Sequence, residues 1–235
     1  MQNDGKNNVK KPVRIKSKNL ILCEGVDALY FLVSFLESTE YKDMLEEEEG
    51  IQIIDFGGNS ELSKTLQVLK ATDNYDKVKS ILIIRDAETN YNDAINQIKI
   101  ALKDNDFAVP NRVCEKVTKE DSTSTGFLLF PTCSKELSNG TLEDLCLNII
   151  TEEDKDKAKN IVNDYLNNMK KEGYTKLKHL HKNILHSYLQ AKDKFVTMKL
   201  GEAARAGAFN FKSEEMNSLV EFVGEMVGWH ISIKG

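Results

Sequence analysis

The feature that most constrains this chain is a pair of short apolar runs that do not alternate with polar residues. One is Asn19-Leu20-Ile21-Leu22-Cys23; the other is Ser80-Ile81-Leu82-Ile83-Ile84. A strand with one wet face alternates, so unbroken runs of Leu and Ile read as strands buried on both faces, as in a parallel sheet. Both runs end in acid. Glu24-Gly25 follows the first, and Arg85-Asp86-Ala87-Glu88 follows the second. In an open parallel sheet, groups just beyond the carboxyl ends of the strands line the crevice that holds ligands. Glu24, Asp86 and Glu88 are therefore candidate metal ligands. Three carboxylates brought together repel unless a cation lies between them, and hard oxygen donors favour Mg²⁺, Mn²⁺ or Ca²⁺.

The segments between these runs fit the same sheet. After Glu24, Leu29, Leu32, Val33 and Leu36 recur at helical spacing, widened by Tyr30, Phe31 and Phe35. Ile51-Gln52-Ile53-Ile54-Asp55 reads as a second strand. Phe56-Gly57-Gly58-Asn59-Ser60 reads as a turn, with Asn59 or Ser60 capping a helix through Leu62, Leu66 and Leu69. A third helix carries Ala94, Ile98, Ala101 and Leu102, and Phe127-Leu128-Leu129-Phe130 is a fourth strand. Strand and helix alternate, so the expected fold class is α/β, a mainly parallel central sheet flanked by helices. From Thr141 onward the pattern is helical. Stripes run through Ile161, Val162, Tyr165 and Leu166, then Leu180, Ile184, Leu185 and Tyr188, and finally Met216, Leu219, Val220, Val223 and Val227 behind a Ser213 cap. The expected organisation is a basic lead-in over 1–17, an α/β core over 18–135 and a helical extension over 136–235 that packs on the sheet.

Charge is uneven. The net charge is −5, yet Lys6, Lys10, Lys11, Arg14, Lys16 and Lys18 crowd the start, which reads as a solvated lead-in able to touch phosphates. Glu46-Glu47-Glu48-Glu49 reads as an exposed turn. No apolar run approaches the roughly 18 residues of a membrane span, and the first residues hold no apolar signal core, so a cytoplasmic protein with no membrane partner is expected. Cys23, Cys114, Cys133 and Cys146 lack metal or redox spacing. His179, His181, His186 and His230 include no pair at helical ligand spacing. No Gly-x-x-x-x-Gly-Lys-Ser/Thr loop occurs. Gly57-Gly58-Asn59-Ser60 could cradle a phosphate, but a plain tight turn explains it. Thr141 with Asp144 has the spacing of a capping box.

Glu-Gly after one strand and Asp-x-Glu after another resemble the Toprim domain, shared by topoisomerases, bacterial primases and OLD-family nucleases. The resemblance covers about residues 18 to 135. More narrowly, Glu24-Gly25-Val26-Asp27 with Tyr30-Phe31, Gly140-Thr141-Leu142-Glu143-Asp144-Leu145, and Leu200-Gly201-Glu202-Ala203-Ala204 with Phe209-Asn210-Phe211 resemble a stand-alone Toprim group of uncharacterised function related to the OLD nucleases. The resemblance implies a Toprim-like fold in which Glu24, Asp86 and Glu88 are catalytic and bind Mg²⁺ or Mn²⁺. Asp27 and Glu143 are implied as further metal ligands. Two positions depart from the pattern: Ala28 stands where the family commonly has a further acid, with Asp27 one place earlier, and Glu88 closes the Asp-x-Asp motif.

The function so implied is metal-dependent phosphodiester chemistry on DNA or RNA, by a nuclease acting with a separate ATPase subunit, often in defence against phage. A basic residue among Lys192, Lys194, Lys199 and Arg205 would offset phosphate charge. The rival is a non-catalytic module of the same fold that binds nucleic acid, a nucleotide or a protein. The apolar helical half also leaves room for a homo-oligomer interface.

Overall fold

The computed structural model describes residues 14–119, 123–150, 152–174 and 180–229. Four strands, β1 (Asn19–Cys23), β2 (Ile51–Asp55), β3 (Ser80–Asp86) and β4 (Ser124–Phe130), form one parallel sheet in the order β2-β1-β3-β4. The helices are α1 (Val26–Glu37), α2 (Leu62–Lys70), α3 (Tyr91–Asp104), α4 (Leu142–Asn148), α5 (Glu152–Lys171), α6 (Leu180–Gln190), α7 (Leu200–Arg205) and α8 (Asn217–Val227). The protein is an α/β protein. Every residue of β1 and β4 is buried, which is why neither strand alternates in sequence.

The sheet divides the interior into two cores. Leu20 and Leu22 of β1 and Ile81 and Ile83 of β3 pack with α2 and α3. Ile21, Cys23, Leu82 and Ile84 face the other way, toward α1, α4, α6, α7 and α8. The helices after Thr141 therefore share a core with the sheet. Strand order reverses between β1 and β3, so the crevice expected of such sheets lies between Cys23 and Asp86.

Close approach of α8 to β4 depends on Gly126. A Cβ there would lie 2.7 Å from Met226 Sδ and 2.8 Å from Phe222 Cζ. The helix is held at its other points too. The Tyr41 hydroxyl donates to Val220 O at 3.1 Å. Lys116 Nζ donates to Glu225 O at 2.8 Å and Met226 O at 3.1 Å, satisfying carbonyls at the helix end. Gly126→Val is expected to cost about 1–3 kcal/mol by overpacking, read as a lower denaturation midpoint with an unchanged slope.

Several boundaries differ from the sequence pattern for local reasons. β3 continues through Arg85 and Asp86, which pair with Leu129 and Phe130. β4 begins at Ser124, before its apolar run; Thr125 Oγ1 donates to Ala108 O at 2.6 Å, and the Ser124 and Thr118 hydroxyls lie 2.8 Å apart. The polar start of the strand is thus buried with partners. A 3-10 turn at Asn59–Glu61 precedes α2, so Glu61, not Asn59 or Ser60, holds its N-cap position. Ser213 begins a 3-10 turn before α8, and its hydroxyl bonds the Glu215 carboxylate. On α5, Val162 and Leu166 are buried while Ile161 and Tyr165 are exposed. The acidic turn is not idle: Glu46 pairs with Lys16, Glu48 with Lys77, and Glu49 with Lys18 and Lys79. No helix among the described residues is long and apolar enough to cross a membrane.

Candidate functional site

The carboxyl ends of β1 and β3 carry the acids, and backbone geometry decides where each one points. Gly25 takes φ 88° and ψ 159°, a conformation open to glycine and costly for other residues. The turn is fixed by Asp55 at the end of β2. Its Oδ1 accepts from Gly25 N at 2.8 Å and from Gly57 N at 2.6 Å. Asp55 is the positioning residue that the sequence pattern passed over; its only signal was an acid closing the second strand. The same carboxylate takes up the Gly57 amide and closes that loop as a tight turn. Asp55→Ala frees both amides and is expected to cost about 1–3 kcal/mol and to weaken any metal response of the rim, read by thermal unfolding with and without Mn²⁺.

Strand alternation sets Glu24 and Asp86 apart. Arg85 lies on the face of Ile81 and Ile83 and is 1% exposed. Its Nη1 donates to Gln97 Oε1 of α3 at 3.0 Å, and its Nε lies 3.3 Å from Glu24 Oε2. Glu24 is therefore turned toward the α2–α3 side. Asp86 faces the opposite side, where its Oδ1 accepts from Leu142 N of α4 at 2.8 Å.

Asp86 and Glu88 do not share an extended run. The strand ends at Asp86, and Glu88 is left-handed at φ 55° and exposed. Glu88 instead pairs antiparallel with Gly140, each amide donating to the other's carbonyl at 2.8 Å. That bridge carries the Gly140–Asp144 segment to Asp86. Asp144 closes the capping box, accepting from Thr141 N at 2.9 Å. Glu143 is left to the site. Its Oε2 accepts from Thr141 Oγ1 at 2.7 Å, and its Oε1 lies 3.2 Å from Lys182 Nζ.

The electrostatics follow. Burial pushes the Asp86 carboxyl up to about 7; the Leu142 amide opposes this, and Glu143, Glu24 and Glu88 add to it. Burial also works to raise Glu143, but the Thr141 hydroxyl, a backbone amide and Lys182 outweigh it and hold Glu143 below the usual carboxylate range. Burial works to lower Lys182, but Glu143, Asp86 and Glu88 together outweigh it, so its net shift is upward. Asp86, Glu143 and Lys182 thus form one electrostatic unit, to which Glu24 and Glu88 also contribute.

Asp27 is engaged elsewhere. Its Oδ1 accepts from Gly201 N at 3.2 Å, where α1 meets α7 so closely that a Cβ on Gly201 would lie 2.6 Å from Tyr30 Cβ. Of the basic residues singled out by sequence, three side chains lie over aromatic rings and the fourth residue caps a helix through its backbone. Lys192, Lys194 and Arg205 lie over the rings of Tyr188, Phe195 and Tyr30, and the Lys199 amide donates to Glu202. Lys182 carried no local sequence signal; only the packing of α6 beside α4 brings it to the acids. His181 is partly buried and His186 exposed, while His179 and His230 lie outside the described residues.

The donor set of the rim is all carboxylate oxygen, which suits a hard divalent cation. Among the described residues, no three of His, Cys, Asp and Glu are gathered tightly enough to hold one as the side chains stand. Arg85 and Lys182 occupy the positive positions instead. No curated protein and no solved structure matches the chain. A family described as "Protein of unknown function (DUF3226)" matches residues 18–227, and with most of its length matched the chain belongs to that family.

Proposed function

We propose that the carboxyl rim is the site of Mg²⁺- or Mn²⁺-dependent phosphodiester chemistry on nucleic acid, in the manner of a Toprim nuclease. The observation that carries this reading is Asp86, partly buried at the switch point of the sheet and raised to about 7 among three other carboxylates. Such a carboxylate gains most from a cation that replaces its proton. Asp86 and Glu143 would be the inner ligands, with Glu88 and, after release from Arg85, Glu24 completing the set. Asp27 stays with Gly201 as a positioning group. A divalent ion here supplies an activated water and stabilisation of the leaving oxygen. Lys182, 3.2 Å from Glu143 at the rim, would offset charge on the phosphate. A cytoplasmic location and a separate ATPase subunit accompany this proposal through the resemblance alone.

A second reading has a specific observation behind it. The buried Arg85 beside Glu24 already neutralises one of the acids, as a module that binds without cutting would require. Cleavage of labelled duplex DNA, single-stranded DNA and structured RNA with Mg²⁺ or Mn²⁺ separates the two. The nuclease reading expects cleavage by the native protein and none by Asp86→Asn or Lys182→Ala. Intact substrates in every lane would remove cleavage by the chain alone, leaving the binding module or a nuclease silent without its ATPase subunit.

A further inference from the structure

Arg85 faces two ways. Its Nε lies 3.3 Å from Glu24 Oε2 at the rim. On the other side it forms part of the wall of a cleft of about 500 Å³ between α2 and α3. Ser60 and Ser63 stand on the α2 side of this cleft, Gln97 and Ile100 on the α3 side. Among the described residues that line it, Arg85 alone is charged and none is an acid. The polar groups are placed to donate. Gln97 Oε1 accepts from Arg85 Nη1 at 3.0 Å, which leaves the amide its N–H groups. Ser63 Oγ accepts from Asn105 Nδ2 at 3.0 Å and keeps its own proton to give.

As the protein stands, Glu24 balances the guanidinium, and the cleft holds no surplus charge. The balance changes when Glu24 changes partner. A divalent ion that draws Glu24 to the rim takes the carboxylate from a buried pair, which is strongly unfavourable for the cation left behind. Arg85 has no easy relief. Its guanidinium does not give up a proton in proteins, and at 1% exposure it has little water to turn to. The cleft is the open side from which a second anion can reach it.

From this geometry we infer that the α2–α3 cleft binds a phosphate-class oxyanion at Arg85, and that this anion and the metal of the rim bind cooperatively. The anion replaces Glu24 on the arginine as the metal withdraws it. The coupling rests on the metal reading of the rim; the anion site rests on Arg85. A planar guanidinium fork suits the paired oxygens of a phosphate. Coupling of this kind is reciprocal, so the anion tightens the metal as much as the metal tightens the anion. The rim thereby gains Glu24 when a phosphate is at hand, which ties metal loading to the presence of phosphate.

Sulfate is the probe, since it has the shape of a phosphate group and stays soluble with Mn²⁺. In EDTA, Glu24→Gln removes the carboxylate charge without any metal. By calorimetry it is expected to bind sulfate at least about tenfold more tightly than the native protein, and Glu24→Gln/Arg85→Met is expected to lose that gain. The native protein, with no substitution to disturb its folding, is expected to bind Mn²⁺ at least about fivefold more tightly in sodium sulfate than in sodium chloride of equal ionic strength. A short single strand titrated into Glu24→Gln in EDTA identifies the source of the anion. Binding tighter than that of sulfate, and lost with Arg85→Met, assigns the cleft to the backbone of the nucleic acid; binding no tighter assigns it to a free phosphate. Equal sulfate binding by Glu24→Gln and the native protein, or a gain that survives Arg85→Met, would overturn the anion site. Mn²⁺ affinity indifferent to sulfate would overturn the coupling. A native protein that binds no Mn²⁺ in either salt would remove the metal reading and the coupling with it, while the comparison in EDTA decides the anion site alone.

Discussion

Asp86→Asn is expected to resist denaturation better than the native protein at pH 8 while losing the metal-dependent chemistry proposed for the rim. Burial, opposed by the Leu142 amide and reinforced by Glu143, Glu24 and Glu88, raises the folded Asp86 carboxyl to about 7. The same group in an unfolded chain titrates near about 3.9. The folded state therefore holds the proton more tightly. The stability this contributes is fully present below about pH 4 and is lost as pH rises through about 7. At about 1.4 kcal/mol per pKa unit, the loss across that window is on the order of 4 kcal/mol. Asparagine keeps an oxygen for the Leu142 amide and never acquires the charge. Denaturant unfolding at pH 5 and pH 8 reads the difference directly. The variant's advantage over the native protein should grow by on the order of 3 kcal/mol between pH 5 and pH 8. A difference that does not change with pH would mean that Asp86 is not under this strain.

Arg85→Ala carries the second large effect, in the opposite direction. Arg85 is 1% exposed and lies against Gln97 and Glu24, so its removal strips a cation from the rim and leaves a hole beside α3. The expected cost is about 3–5 kcal/mol, the range for breaking a buried pair from one side. Removing both charges should cost less, because much of that penalty comes from the carboxylate left behind. Glu24→Gln with Arg85→Met is therefore expected to recover at least about half of the loss. A double variant no more stable than Arg85→Ala would show that the arginine acts through packing alone. The pair bears on function as well, since a metal that recruits Glu24 must compete with Arg85 for it.

The frame of the protein was legible because burial on both faces leaves a plain mark. Leu20 to Leu22 and Ile81 to Ile84 could hardly be anything but central strands, and Glu24 and Asp86 fall where such strands end. What could not be read was the side of the sheet each acid would take. One residue of strand beyond Ile84 put Arg85 among α2 and α3 and sent Asp86 to α4, and only the pairing of β3 with β4 fixed that extension. The turn at Glu88 was illegible for a related reason. Its pairing with Gly140 joins positions far apart in sequence, and the pairing, not local propensity, sets its left-handed turn. Asp144 showed its role through local capping chemistry, whereas Lys182 reached the site by helix packing that no local pattern encodes. Asp55 lay between these cases, an acid at a strand end whose partners were two backbone amides.

Manganese titration by calorimetry is the most direct test of the acid rim, carried out near pH 6.5 in two buffers of different ionisation enthalpy. The account predicts that the native protein binds Mn²⁺ and releases a sizeable fraction of a proton as Asp86 gives up its own, and that Asp86→Asn binds far more weakly and releases none. Absence of binding by the native protein, or equal binding by both with no proton released, would contradict the rim as a metal site.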